Sequence, residues 1–401
     1  MWKWWICGLL LLASAINYMD RQTLANAAVR ISQEFSLNQE HYGNLELAFG
    51  WAFAAGSIAF GIVADRAPLR WVYPGVLLLW SLAGFATGLV RSYEGLLLCR
   101  TFLGFFEAGH WPCGVKAVQL LLAPKDRSMG NSVLQSGTSI GAIVTPLIMS
   151  VLLTRQLSSW RFAFQAIGLL GLGWIVIWFV LVRRGDLQSP PKEPAAPGAW
   201  QEILKILFTR RMAVIIVVIA LINTSWQILR AWLPKFLIQG RGYPENEMLV
   251  FNALFYIATD VGCIGAGLLT VWFHRRGLSV HGARKVAFLS CAVLSAFTVL
   301  AVWLPRGPVL LGVLLMIGAG ALGVFPIYHA LTQDISPHHQ GKVTGIGGVA
   351  AWALSPAHKY FGRLIDQTGS FDLGFAIIGC MPLVAFAVLS LFWESKETDM
   401  K

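Results

Sequence analysis

Residues 2–16 read Trp-Lys-Trp-Trp-Ile-Cys-Gly-Leu-Leu-Leu-Leu-Ala-Ser-Ala-Ile and run directly into Asn17-Tyr18-Met19-Asp20-Arg21. An acid and a base therefore lie side by side within an otherwise apolar helix. A charge at the centre of a bilayer costs at least about 2.5–3.5 kcal/mol, and such residues usually face the interior of a helix bundle or a water-filled path. The stretch therefore predicts a membrane-spanning protein with a transport path through it.

The composition supports a membrane protein with many spans. Of the 401 residues, 56% are hydrophobic and only 13% are charged, and the mean hydropathy is +0.63. Soluble domains carry about 25% charged residues. The net charge of +11 fits basic cytoplasmic loops. Because no basic stripe with interleaved aromatic residues occurs in a polar segment, we expect no nucleic-acid partner.

Apolar stretches of about 20 residues predict twelve transmembrane helices in two halves of six, an all-α membrane fold. We predict a first bundle over 1–185, a cytoplasmic linker over 186–211 with an amphipathic segment at Trp200–Phe208, and a second bundle with a short tail over 212–401. The predicted spans are 3–31, 40–64, 71–90, 93–118, 129–153, 161–183, 212–238, 247–273, 284–304, 307–333, 342–365 and 371–394.

The distribution of basic residues sets the expected topology. Most of the 31 Lys and Arg residues fall in loops and tails that are cytoplasmic if the N-terminus is inside, as the positive-inside rule requires. We therefore expect both termini in the cytoplasm. The six cysteines lie in apolar runs without a C-x-x-C spacing, which favours packing roles and indicates no metal or redox site.

Several motifs point to one family. The loop motif Gly61-x3-Asp65-Arg66-x-Pro68-Leu69-Arg70 resembles the signature of the major facilitator superfamily, although Pro68 and Leu69 depart from it. Further motifs are similar to those of the anion:cation symporter family, in the form carried by its hexuronate and galactonate permeases. They are Asn17–Arg21, Arg100-x6-Glu107-Ala-Gly-His-Trp111-Pro112, Trp232-Leu-Pro234-Lys235 and Asp334-Ile-Ser-Pro337.

The resemblance implies a proton-coupled importer of sugar-acid anions, hexuronates or aldonates, in a cell membrane, most simply a bacterial inner membrane. It assigns proton coupling to Asp20 and Glu107. It places Arg21 and Arg100 at the substrate or beside the acids. Arg230 is not part of the hexuronate pattern, so the resemblance leaves the identity of the substrate open.

Helical spacing gives independent support for a charged site. Arg100 and Glu107 are seven residues apart and share one face of a helix. Asp20 and Arg21 diverge by about 100° and do not face each other, so each is free to reach another helix: Arg21 to Glu107, or Asp20 to Arg100. The alternative is a pair of structural salt bridges, but buried ion pairs are poor stabilisers.

The seventh predicted span carries a polar strip of Asn223, Gln227 and Arg230 at positions i, i+4 and i+7. Arg230 is expected to contact a carboxylate; alternatively it extends to the outer surface or pairs with Asp260. The amides suit sugar hydroxyls. Further candidates for substrate contacts are Tyr18, Gln135, Tyr328 and Thr332, each of which could instead join helices by hydrogen bonds.

The buried charges suggest how coupling would arise. Asp20, Glu107 and Asp260 oppose Arg21, Arg100 and Arg230, so a bound anion leaves an excess negative charge. An acid beside an incoming anion favours its protonated form. Anion binding and protonation therefore favour each other, and this mutual dependence is symport.

No enzyme motif appears: the chain has no G-x-S-x-G, no Walker loop and no H-E-x-x-H. We predict a secondary transporter and no enzyme, with a small anionic substrate, protons and the lipid bilayer as partners. We expect no cofactor beyond the coupling proton, no catalytic or metal residues, and a monomer. The alternatives are an exchanger of organic anions or organophosphates and, with less support, a drug antiporter or a non-transporting receptor.

Overall fold

The computed structural model of the protein describes residues 2–123, 126–183, 185–187, 208–333 and 340–393. Every regular element in these ranges is helical. The fifteen α-helices are α1 (Trp2–Glu34), α2 (Gln39–Arg66), α3 (Leu69–Thr87), α4 (Tyr93–Glu107), α5 (His110–Leu121), α6 (Arg127–Leu152), α7 (Trp160–Leu181), α8 (Arg210–Lys235), α9 (Glu245–Arg275), α10 (Val280–Ala296), α11 (Thr298–Ala301), α12 (Pro308–Gln333), α13 (Gln340–Ala353), α14 (Pro356–Thr368) and α15 (Asp372–Phe392).

The helices confirm the predicted all-helical membrane protein. Within the described residues, nine helical stretches are long and apolar enough to cross a bilayer. The other three predicted spans are not among these nine. One is α1, whose apolar run is followed by polar and charged residues, and the other two are each divided into two shorter helices. The predicted span 93–118 is divided into α4 and α5, and the predicted span 342–365 into α13 and α14.

Both breaks have local causes in the sequence. Gly109 precedes α5, and Pro112 in its first turn has no N–H to donate to the carbonyl of Ala108. Pro356 begins α14, a position where the missing N–H costs nothing. Two predicted features lie outside the described residues: the motif at Asp334–Pro337, and the interfacial segment expected at Trp200–Phe208 apart from its last residue. That residue, Phe208, is described and its side chain is exposed.

The helices pack into two compact units. The first unit contains Met1–Lys192, Ala231–Ala253 and Ser355–Gly369, and the second contains Glu193–Arg230, Leu254–Leu354 and Ser370–Lys401. Two short segments from the second half of the sequence therefore pack against the first half. The division of the chain into bundles at 1–185 and 212–401 stays a prediction.

Close packing of α1 against α6 determines where the charged part of α1 lies in the first unit. A Cβ atom at Gly141 would lie 3.0 Å from the Cα of Ala15, and one at Gly137 would lie 2.7 Å from the Cβ of Ser14. Small residues allow membrane helices to approach this closely. The contact fixes the stretch of α1 that leads directly into Asp20 and Arg21.

The second unit is built around an apolar core that holds α8 in place. Ile215 and Ile219 of α8 pack in one buried cluster with Phe288 of α10, Val324 of α12 and Ala385 of α15. The polar strip of α8 begins one turn after Ile219, at Asn223.

The α1–α6 contact generates a stability prediction. Gly141→Ala should lower the melting temperature of the detergent-purified protein, because the added methyl group forces the helices apart at a cost of about 1–3 kcal/mol. The matched control is Gly173→Ala in α7, where a Cβ atom meets nothing within 4 Å; it should leave stability unchanged or raise it, since alanine is the better helix former. Equal melting temperatures for the two variants would contradict the packing argument.

Candidate functional site

The break between α4 and α5 places Glu107 at the end of a helix inside the first unit. Glu107 is the last residue of α4, and α5 begins three residues later at His110. Glu107 and His110 are both fully buried. Discontinuous membrane helices recur at the binding sites of secondary transporters. The break therefore marks a candidate site on structural grounds.

Arg21 of α1 is bound to the end of α4 by a closed set of hydrogen bonds. Its Nε donates to Glu107 Oε2 at 3.0 Å, and its Nη2 donates to Asn17 Oδ1 at 3.0 Å. Asn17 Nδ2 in turn donates to the backbone carbonyl of Glu107 at 3.3 Å. The structure thus pairs Arg21 with Glu107, which is one of the two pairings that the sequence allows.

Aromatic rings surround the Arg21 guanidinium. Its Cζ lies 4.8 Å from the ring centre of Phe53, 5.3 Å from that of Phe49 and 5.5 Å from that of Tyr18. Cation–π contacts contribute about 2 kcal/mol or more where water is excluded. The rings therefore stabilise the cation without competing for the hydrogen-bond donors that an anion would use.

Asp20 has a different environment from its neighbour Arg21. Its carboxyl group is fully buried and neither oxygen has a hydrogen-bond partner among the described residues. The backbone of α3 passes close by, since a Cβ atom at Gly84 would lie 2.9 Å from Asp20 Oδ1. No hydrogen bond among the described residues therefore compensates this carboxyl group for its loss of hydration.

Arg100 forms an ion pair that the sequence analysis did not anticipate. Its Nη2 lies 3.6 Å from Glu46 Oε1 of α2, and both side chains are fully buried. The Arg100 guanidinium also lies 4.5 Å from the ring centre of Phe49. The pairing of Asp20 with Arg100 is therefore not the one that this structure contains.

His110 links three helices next to the break. Its Nε2 lies 2.9 Å from Ser14 Oγ of α1, and its Nδ1 lies 2.9 Å from the Tyr73 hydroxyl of α3. Because the Ser14 hydroxyl donates to the Leu10 carbonyl, His110 Nε2 carries the hydrogen and Nδ1 accepts from Tyr73. Both ring nitrogens of His110 are thus within hydrogen-bond distance of a hydroxyl group, which suits a positioning role.

The second unit contains the predicted polar strip of α8. Asn223, Gln227 and Arg230 are all buried. Asn223 Nδ2 donates to the Tyr328 hydroxyl at 3.4 Å, and Gln227 Nε2 donates to the Ala351 carbonyl at 3.0 Å. These contacts bring together α8, α12 and α13 within this unit.

The other predicted substrate residues are more scattered. Thr332 Oγ1 donates to the backbone carbonyl of His329 at 2.6 Å, which is local helix bonding. Asp260 of α9 is partly exposed, and Gln135 of α6 is exposed. None of these positions contradicts a role in transport, and their roles stay predictions.

Glu46 and His110 are two buried residues of the site whose roles were not predicted from the sequence. Glu46 lies inside the predicted span 40–64. An acid in an apolar span indicates a functional site, and Glu46 does so as clearly as Asp20. His110 lies within the quoted motif after Glu107. Among the described residues no group of three or more His, Cys, Asp and Glu side chains is placed to hold a metal ion.

The Arg100–Glu46 pair generates a second prediction. Glu46→Gln should lower the melting temperature strongly, because removing one partner from a buried ion pair costs about 3–5 kcal/mol. Replacing both residues, Glu46→Gln with Arg100→Gln, should recover part of this loss, since no buried charge is then left without its partner. Glu94→Gln, at an exposed acid in the first turn of α4, is the control and should change little. A Glu46→Gln variant as stable as the control would exclude the pair as a significant interaction.

Comparison with known proteins agrees with this architecture. A family model of the Major Facilitator Superfamily matches residues 10–357. The chain is 26% identical to a hexuronate transporter of Escherichia coli (strain K12), covering 98% of this chain and 94% of that protein. It is also 26% identical to a probable sulfoacetate transporter of Cupriavidus necator, covering 96% of this chain and 93% of that protein.

A solved structure shows the same fold. A bacterial homologue of the human lysosomal transporter Spinster, in an inward-facing and unoccupied conformation, matches with a TM-score of 0.82 and 16% identity, covering 98% of this chain and 99% of that chain. At this identity the similarity is one of fold alone. The family match extends over most of the chain and agrees with the motifs in its helices. The chain belongs to the Major Facilitator Superfamily.

Proposed function

We propose that this protein is a secondary active transporter that imports a sugar-acid anion together with protons by alternating access. The observation that carries the proposal is the buried ion pair of Arg21 with Glu107 beside the unbonded carboxyl group of Asp20. This arrangement offers both a cation for a substrate carboxylate and acids that can hold a proton.

Competition for Arg21 couples the anion to the proton. While Glu107 is ionised, it occupies the Nε donor of Arg21. A substrate carboxylate needs the same donors, because bidentate pairing with a guanidinium is the strong mode of carboxylate binding. Protonation of Glu107 weakens its hold on Arg21 and frees the guanidinium. Loading of the proton therefore prepares the site for the anion.

Asp20 is proposed to hold a second exchangeable proton. It has no hydrogen-bond donor among the described residues to stabilise its carboxylate, so its ionised form depends on the nearby cations. An anion that draws those cations away favours the neutral acid. Asp20 and Glu107 would then both release their protons on the side where the anion leaves.

The balance of buried charge in the first unit supports the same coupling. Among the described residues of this unit, three acids (Asp20, Glu46 and Glu107) and three Arg or Lys side chains (Arg21, Arg100 and Lys235) are buried. A monoanion bound among them leaves one negative charge in excess. Because an uncompensated buried charge is costly, uptake of a proton with the anion restores the balance.

The substrate class is supported by the relatives and by the polar groups of the second unit. A relative over the whole chain is named a hexuronate transporter. Asn223, Gln227 and Tyr328 are amide and hydroxyl groups of the kind that bind sugar hydroxyls. We propose a hexuronate or aldonate as substrate, and Arg230 of the second unit as a substrate-binding residue.

A smaller organic anion is the second candidate. It is favoured by the equal identity of the chain to a probable sulfoacetate transporter. The arginines would serve such an anion equally well, whereas hydroxyl-binding residues would not be needed. In either case we propose a monomer in a bacterial inner membrane with both termini in the cytoplasm and no catalytic activity.

Transport by acid-to-amide variants tests the coupling. In proteoliposomes, an inward proton gradient should drive accumulation of one or more of glucuronate, galacturonate, galactonate and sulfoacetate by the wild-type protein. Asp20→Asn and Glu107→Gln should each lose this accumulation, because an amide mimics the protonated acid but releases no proton. Both should retain exchange of labelled for unlabelled substrate.

Glu94→Gln is the control for this assay and should accumulate substrate like the wild type. Accumulation at the wild-type level by Asp20→Asn or Glu107→Gln would remove that residue from the coupling mechanism. Loss of exchange along with accumulation would assign the residue to substrate binding or folding instead.

A further inference from the structure

Lys235 is a buried cation that the proposed coupling does not use for binding. It is the last residue of α8 and its side chain is fully buried within the first unit. Its Nζ donates to Ser32 Oγ of α1 at 2.9 Å and lies 4.3 Å from the ring centre of Tyr42 and 5.7 Å from that of Trp232. It forms no ion pair with an acid among the described residues.

A buried lysine without an acidic partner is hard to explain by stability alone. Taking an ammonium group out of water is costly, and one hydroxyl with two aromatic rings replaces only part of its hydration. Asp366 acts on Lys235 electrostatically without forming an ion pair with it, and its carboxylate oxygens accept the backbone N–H groups of Gln39 and Glu40. Ionisable residues buried inside a membrane helix bundle are usually retained for function.

Lys235 contacts the face of α1 on which Arg21 lies. Its partner Ser32 follows Arg21 by eleven residues, which is about three helical turns with a rotation of about 20°. The two positions are therefore aligned along α1 and about 16 Å apart. Under the expected topology, the Ser32 end of α1 is at the outer side of the membrane.

One face of α2 runs along the same line. Tyr42, Glu46 and Phe49 are spaced at i, i+4 and i+7 and so share a face. Tyr42 contacts Lys235, and Phe49 lies under the guanidinium groups of both Arg21 and Arg100. The α1 and α2 faces therefore connect Lys235 directly to the site around Arg21.

The backbone is irregular where Lys235 is held. Pro234 precedes it, and residues Phe236–Gly240 form a π-helical turn directly after it. The Tyr42 hydroxyl donates to the Ala231 carbonyl at 2.9 Å, and Trp232 Nε1 donates to His358 Nδ1 at 3.2 Å. Prolines and π-turns are frequent at functional breaks in helices, so this segment is suited to separate from α1 and α2.

We propose that Lys235 is a separate carboxylate-binding site at the outer end of the path, which captures the incoming anion before it reaches Arg21. In the structure, the ammonium group donates a hydrogen bond to the Ser32 hydroxyl and contacts the rings of Tyr42 and Trp232. When the segments 231–253 and 355–369 move away from α1 and α2, the ammonium becomes available to the substrate carboxylate. The inference rests on the proposed function, since it requires an anionic substrate that enters from this side.

Transport kinetics measured from each side test the proposal. Intact cells present the outer side and inside-out membrane vesicles present the inner side to labelled substrate from the panel above. Lys235→Gln should raise the half-saturation concentration about tenfold from outside, equivalent to about 1.4 kcal/mol, and leave it within about twofold from inside. Lys235→Arg keeps the charge and should recover most of the outer affinity.

Two further results separate capture from other roles of the residue. Lys359→Gln removes a partly exposed lysine of α14 that pairs with Glu40; an equal rise in half-saturation for this variant would indicate general surface attraction and overturn the proposal. If Lys235→Gln leaves the half-saturation concentration from outside unchanged or lowers it, and changes the maximal rate, Lys235 only holds the segments 231–253 and 355–369 against α1 and α2. This result would overturn the proposal. Equal rises from both sides would assign it to the central site instead.

The wild-type protein distinguishes this inference from the function on which it rests. Saturable wild-type uptake together with an unchanged outer half-saturation in Lys235→Gln would overturn the capture site and leave the proposed function intact. Absence of any sugar-acid or sulfoacetate uptake by the wild type, with the protein present in the membrane, would overturn both.

Discussion

The ion pair of Arg21 with Glu107 is the interaction on which the rest of the first unit depends. Both groups are buried, and removing either one leaves a buried charge whose cost is high in an apolar bundle. Three features of the fold serve the pair: the break after α4, the Asn17 amide that bonds to both partners, and the rings of Tyr18, Phe49 and Phe53 around the guanidinium. A site held together by one exchangeable pair responds to a proton and to an anion alike, which is the physical requirement for coupling them.

The cations of the first unit form an ordered series. Arg21 and Arg100 share the ring of Phe49, and Lys235 lies further along the same faces of α1 and α2, against Tyr42. Each cation is in contact with an aromatic ring. Such contacts stabilise a cation through the ring face.

Hydropathy and the unexpected charges in apolar helices made most of the fold and part of the site predictable. Span positions follow from the need to satisfy backbone hydrogen bonds in lipid, and Asp20 and Arg21 stand out against the apolar run before them. Gly109, Pro112 and Pro356 indicate the breaks after Glu107 and before Pro356. The spans were predicted from the length of apolar stretches alone, and by that criterion each pair of helices is one span.

The spacing of residues along a helix does not show which residues on other helices they contact. Helical periodicity shows that Arg100 shares a face with Glu107, but which acid approaches it depends on how α2 packs against α4, and this brought Glu46 rather than Asp20 within 3.6 Å. Likewise, nothing in the local sequence shows that Lys235 meets Ser32, since these residues are 203 positions apart. Contacts of this range are set by tertiary packing and need the structure.

The central claim is that anion and proton move together, and the most direct measurement is of proton movement itself. Wild-type protein in proteoliposomes without an imposed gradient should take up protons when a sugar acid is added, so that the external medium becomes more alkaline. An absent proton signal, with a labelled organic anion exchanging for a preloaded one instead, would contradict the account and return Asp20 and Glu107 to structural or gating roles.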